Sequence, residues 1–247
     1  MNSNQLSSAV LAAPAIRAAS LRRALAVRAT LASFAGALVA ALALVAPAAH
    51  AAPIDSVVKS VKFDYAEGVA KALADGQDPN ATDEHGMPLL VLAAREKSDK
   101  VAAVLLDNPK TKVDAEDSAG ENALMLAALN GDVDLVKLLI TKGAEVNKKG
   151  WTALHYAAAN GHDEIAKLLL GYSAYVDAPS PNGTTPLMMA ARGDHVSTIK
   201  LLLDGGADLN AKNQIGMNAL DFAKQYKSPD AIKDLSARMG ASVGSGG

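Results

Sequence analysis

The 247-residue sequence contains no cysteine, which excludes both a disulfide and a thiolate metal site. It contains a single tryptophan. Beyond the first fifty or so positions it has no apolar run long enough to cross a bilayer. Acidic residues are also missing from Met1 to Ala51, where Arg17, Arg22, Arg23 and Arg28 precede "TLASFAGALVAALALVA" and then "PAAHAAP". A basic start, a short apolar core and a small-x-small ending describe a secretory signal segment, with Ala49-His50-Ala51 as the cleavage rule and Ala52 as the first mature residue. The apolar run from Thr30 to Val45 is shorter than the roughly 20 residues of a spanning helix. "SLRRAL" lacks a Ser or Thr directly before its arginines, so the general export route is expected rather than the twin-arginine route. Without these four arginines, 20 basic residues face 26 acidic ones, a net charge near −6. Such a surface repels phosphate backbones and anionic headgroups, and nucleic acid is not an expected partner.

What is present is a repeat. Gly86, Gly120, Gly150, Gly183 and Gly216 are spaced 34, 30, 33 and 33 residues apart. Behind them stand "MPLLVLAA", "ENALMLAA", "WTALHYAA", "TTPLMMAA" and "MNALDFAK", followed by "VAAVLL", "DLVKLL", "EIAKLL", "TIKLLL" and the weaker "AIKDL". Two residues after each frame glycine come Pro88, Asn122, Thr152, Thr185 and Asn218, four of which can cap a helix through a side-chain oxygen. A short helix with alanines on one face should follow, then a turn such as Asn130-Gly131 or Asn160-Gly161. A second helix with Leu and Val at helical spacing comes next, ended by Gly76, Gly143 or Gly206.

"GWTALHYAAANGHDEIAKLLL" and "GTTPLMMAARGDHVSTIKLLLDGGADLNAK" resemble the ankyrin-repeat frame nearly position by position, and the resemblance runs from about Phe63 to Leu235. It implies an all-α solenoid of stacked antiparallel helix pairs with projecting hairpin-like fingers. About five full repeats would start near 86, 120, 150, 183 and 216, with an amino-terminal cap over 54–85. A repeat of this size cannot bury its own apolar face, which independently requires neighbours to stack. The repeat domain is expected over 52–239, a flexible tail over 240–247, and Val57, Val58, Val61 and Phe63 in the first helix of the cap.

No motif in the sequence carries chemistry. His155 and His162 fall where the family places turn-bonding histidines, and Ala166 stands where a zinc-hydrolase helix would need its second histidine. "GASVG" from Gly240 matches a nucleophile motif but has no strand before it. Asn80-Ala81-Thr82 and Asn182-Gly183-Thr184 match glycosylation acceptors inside turns where Asn and Thr are structural. Leu126, Tyr156, Met189 and Phe222 share one frame position and read as core. No catalytic, metal or cofactor residue is assigned.

A partner would meet the concave face formed by the fingers and first helices. The frame places Met87 and Arg95 there in the first repeat, and Glu121 in the second. Lys148, Lys149, Trp151 and Asn160 follow in the third, Arg192 in the fourth, and Met217 and Tyr226 in the fifth. Only two residues separate Asn147 from Gly150, whereas five separate its equivalents in the other repeats from their frame glycines, so the third finger should be clipped beside Trp151. Either this notch and Trp151 centre the partner site, with the two lysines meeting an acidic group, or the deletion is neutral and Trp151 packs over the gap. The expected function is a monomeric, non-enzymatic protein-binding scaffold, periplasmic or secreted from a bacterium. The alternative is a dedicated protector or inhibitor of one exported enzyme.

Overall fold

The computed structural model describes residues 52–244. The expected signal segment, 1–51, and the end of the expected tail, 245–247, lie outside the described residues. Helices come in pairs: α1 (Ile54–Lys62) with α2 (Ala66–Ala74), α3 (Leu89–Glu96) with α4 (Asp99–Asp107), and α5 (Ala123–Asn130) with α6 (Val133–Thr141). They continue as α7 (Ala153–Ala159) with α8 (Asp163–Gly171), α9 (Pro186–Arg192) with α10 (Val196–Asp204), and α11 (Ala219–Tyr226) with α12 (Pro229–Gly244). Within a pair, two or three residues reverse the chain. The first helices form one layer from α1 to α11, the second helices another from α2 to α12, and each helix packs on its mate and its neighbours in adjacent pairs. The architecture is the expected all-α solenoid of a cap and five repeats.

The layers differ because the side chains do. Ala93, Ala94, Ala127, Ala128, Ala157, Ala158, Ala190 and Ala191 are buried where first helices approach each other. In the second helices, Val101, Leu105, Leu135, Leu139, Ile165, Leu169, Ile199 and Leu202 bury one stripe. Pro88, Asn122, Thr152, Thr185 and Asn218 all take the cap position. Asn122 Oδ1 accepts from the Met125 amide at 3.0 Å, and Asn218 exchanges two bonds with Asp221 at 3.0 and 3.1 Å.

Turn chemistry and stacking are coupled. The residue two before each second helix is left-handed: Asp64, Lys97, Gly131, Gly161, Asp194 and Lys227. It is glycine only where the next repeat places a histidine against it. A Cβ on Gly131 would meet the His162 ring at 2.7 Å, and one on Gly161 the His195 ring at 2.5 Å. Asp64, Lys97 and Asp194 instead precede repeats with Ser98, Asp132 and Ser228 at the histidine's frame position.

Two expectations for the ends are corrected. Phe63, expected in the first helix of the cap, lies just beyond it: α1 stops at Lys62, and Phe63 enters the turn 82% exposed. The tail expected from Gly240 is helical through Gly244. A glycine weakens a helix by about 1 kcal/mol relative to alanine but is no stop signal when no proline follows.

Candidate interaction site

Four of the five fingers close on the same turn. The amides of Asp83, Asp117, Ser180 and Asn213 donate to the carbonyls of Met87, Glu121, Thr184 and Met217 at 2.9–3.0 Å. Asp83, Asp117 and Asn213 also accept two amides each through Oδ1. Among the described residues the third finger has no such turn, and Lys148 occupies the place. Its ammonium pairs with Glu116 of the second finger at 3.0 Å and donates to the Gly120 carbonyl at 3.3 Å. Asn147 nevertheless keeps the inter-repeat clamp of its frame position. Its Oδ1 accepts from the Tyr175 amide at 2.8 Å, as Asn80 accepts from Lys112 and Asp114 from Glu145.

His155 is 1% exposed and built into the scaffold. Its Nδ1 accepts from the Thr152 amide at 3.2 Å, so the proton sits on Nε2, which donates to the Thr184 carbonyl of the next repeat at 2.9 Å. Burial lowers its pKa from 6.5 to about 4. His162 and His195 pin the preceding first helices through Nε2, to the Leu129 carbonyl at 3.0 Å and the Ala159 carbonyl at 3.1 Å. Ser228 does the same to the Arg192 carbonyl at 2.9 Å. Asp132 caps its own helix instead, and Asn130 supplies the donor to Ala94 and Arg95 at 2.9 and 3.2 Å. Among the described residues no three His, Asp or Glu side chains gather where they could hold a metal ion.

These pins hold the carboxyl ends of α5, α7 and α9, and between those ends lies a cavity of about 400 Å3. Leu129, Trp151, Tyr156, Asn160, Met189 and Arg192 form its walls. Trp151 is half-buried, its ring edge-on to His155 at 5.1 Å. The Tyr156 hydroxyl donates to Glu121 at 2.6 Å, and its pKa rises well above the ordinary phenol range through burial and the neighbouring carboxylate. Arg192 lies over the Tyr226 ring, 4.7 Å from its centroid, and Tyr226 stacks on Phe222 at 6.3 Å.

The cavity brings together Trp151, Asn160 and Arg192 of the expected partner residues, with Glu121 and Tyr226 one contact behind. The remainder are scattered. Met87 is buried at 9% exposure, its amide tied to Asp83, which corrects its placement on the partner face. Arg95 is exposed and lies 3.4 Å from Glu96. Lys149 is exposed and Met217 half-buried, and neither lines the cavity. Lys148, expected to meet a partner's acid, is already neutralised by Glu116. Tyr156 and Met189, assigned to the core by frame position, turn one side to the cavity; their bulk beside alanines is the signal that distinguishes them.

No helix among the described residues is long and apolar enough to cross a membrane. The family model described as "Ankyrin repeats (3 copies)" matches residues 90–180 and 172–245. The sequence is 34% identical over 148 residues to an ankyrin repeat-containing protein of Treponema pallidum (strain Nichols), covering 60% of this chain and 39% of that one. It is 36% identical over 155 residues to the nuclear factor NF-kappa-B p105 subunit of Gallus gallus, covering 60% of this chain and 16% of that subunit. A further 31% identity over 172 residues links it to the mitochondrial disaggregase of Bos taurus, with 69% of this chain and 21% of the relative covered. The chain thus spans less than two-fifths of the length of these relatives, and what is shared is the repeat array. A period of about 33 residues, helix pairs stacked in two layers and the family match agree: the chain belongs to the ankyrin-repeat family.

Proposed function

We propose that this chain is an exported bacterial scaffold that binds one folded protein on the finger side of its first helices, without catalysing a reaction on it. The observation that carries the reading is the apolar cavity spanning three consecutive repeats, with Trp151 and Tyr156 in its walls. Large, stiff aromatic side chains with one face uncovered are the usual anchors of a protein interface. The rigid pins from His162 and His195 hold the cavity's rim in shape before a partner arrives, which limits the ordering cost of binding. Export rests on the arginines and apolar run of Met1 to Ala51, and removal of that segment leaves the acidic surface of a monomeric protein that avoids nucleic acid.

The test is affinity purification of a tagged chain from periplasmic and culture fractions, with amino-terminal sequencing of the recovered protein. A mature end at Ala52 and a stoichiometric protein that is lost with Trp151→Ala are expected. Retention of the full leader in the cytoplasm would remove the export reading. Recovery of the same partner within twofold on Trp151→Ala would remove the site. An enzyme as the partner, inhibited or protected by binding, would make the chain its dedicated regulator.

A further inference from the structure

The cavity walls have an imbalance of hydrogen-bonding groups. Trp151 makes a ring contact with His155, but its indole N–H has no acceptor among the described residues. The Arg192 guanidinium lies on the Tyr226 ring and pairs with no carboxylate among the described residues. Of the other wall side chains, Tyr156 donates to Glu121, His155 bridges Thr152 and Thr184, and Asn160 Nδ2 donates to the Tyr156 carbonyl at 3.0 Å, which leaves the Asn160 Oδ1 as a neutral acceptor. The carbonyls of Leu129 and Ala159 are taken by His162 and His195. Apolar surface from Leu129, Tyr156 and Met189 therefore sits beside two solvent-facing donors that no described residue engages, one of them a cation.

From this we infer that the cavity accepts a segment of the partner protein in which a bulky apolar side chain stands beside an aspartate or glutamate. The apolar side chain fills the space between Trp151, Tyr156 and Met189, and the carboxylate meets Arg192, with the Trp151 N–H donating to the same carboxylate or to an adjacent backbone carbonyl. Stacking on Tyr226 restricts the guanidinium beforehand, so less freedom is lost when the carboxylate docks. Lys148 takes no part, because Glu116 already holds it. The inference rests on the cavity being the protein-binding site and adds the chemistry of what enters it.

Random peptides displayed on phage are panned against the chain, with the Trp151→Ala chain panned in parallel. The enriched peptides should share a Phe, Trp, Leu or Met within two positions of an Asp or Glu. A synthetic copy of the dominant peptide should bind Arg192→Gln about tenfold more weakly than the parent. The same loss should follow when the peptide's acid is changed to its amide, and combining the two changes should add no further loss. Arg192 is exposed, so its replacement leaves folding intact even if Trp151→Ala does not, and circular dichroism of both variants checks this. Peptides enriched for basic residues, or lacking acidic ones, would overturn the inference while leaving the site in place. So would equal affinity for Arg192→Gln. Identical enrichment on the parent and a folded Trp151→Ala chain would overturn the site itself. A dimer in sedimentation that dissociates on Arg192→Gln would show a second copy of the chain as the occupant, and would equally overturn it.

Discussion

Replacing His155 with glutamine separates the histidine's structural role from its charge. Glutamine offers one acceptor and one donor, which suits the Thr152 amide on one side and the Thr184 carbonyl on the other, but it does not titrate. The parent side chain has a pKa of about 4 in the fold against 6.5 when free. Between those values the unfolded chain binds the proton and the folded chain does not, so stability is present above 6.5 and is lost as the pH falls towards 4. Linkage at ~1.4 kcal/mol per pH unit makes this loss about 2 kcal/mol between pH 7 and pH 5. Urea unfolding of both chains at the two pH values reads it directly, because every other titrating group is common to both and cancels. The parent should lose about 2 kcal/mol more than His155→Gln on acidification, whatever the variant's stability at pH 7. Equal losses would mean that the imidazole is solvated or charged in the fold, and would refute its place as a neutral buried bridge.

Asp99 predicts the opposite slope. Burial, then the hydrogen bond and charge of Asp132, raise its pKa from 3.8 to about 6, so its contribution to stability grows as the pH falls through 6. Asp99→Asn should therefore be at least as stable as the parent at neutral pH and gain less on acidification, as measured by the same urea titrations. Gly161→Ala combines a left-handed backbone with a Cβ 2.5 Å from the His195 ring, and should cost about 2–3 kcal/mol by thermal unfolding. Adding His195→Ser, the residue that follows left-handed Asp64 and Asp194 in the next repeat, should recover the steric part and leave about 1 kcal/mol. Ala158→Leu, at a fully buried contact between first helices, should cost about 1–3 kcal/mol by overpacking.

The helix pairs were legible because the period places a capping residue, paired alanines and a leucine stripe at fixed offsets, and each offset has one mechanical use. The same frame located Trp151, Asn160 and Arg192, since residues flanking the frame glycine or following its alanines face away from the stack. Met87 obeys that rule of position but not of exposure: its amide bonds to Asp83 and its side chain joins the apolar core. Lys148 illustrates a different limit. The shortened finger is visible as a residue count, but which carboxylate a long, flexible side chain reaches depends on where the preceding finger puts Glu116. The Arg192–Tyr226 stack crosses two repeats whose frame positions are offset by one, so no spacing within a single repeat announces it. Phe63 shows that an apolar residue just beyond a helix end need not share its buried face.

The most direct test of the account places a photoreactive amino acid at Asn160, exposed on the cavity rim, or at Lys200, exposed on the second-helix layer, and irradiates the cells that make the protein. The account predicts one discrete protein adduct from position 160 and none from position 200. Adducts from position 200 alone, or of equal yield from both, would contradict the claim that the finger side of the first helices is where this chain meets its partner.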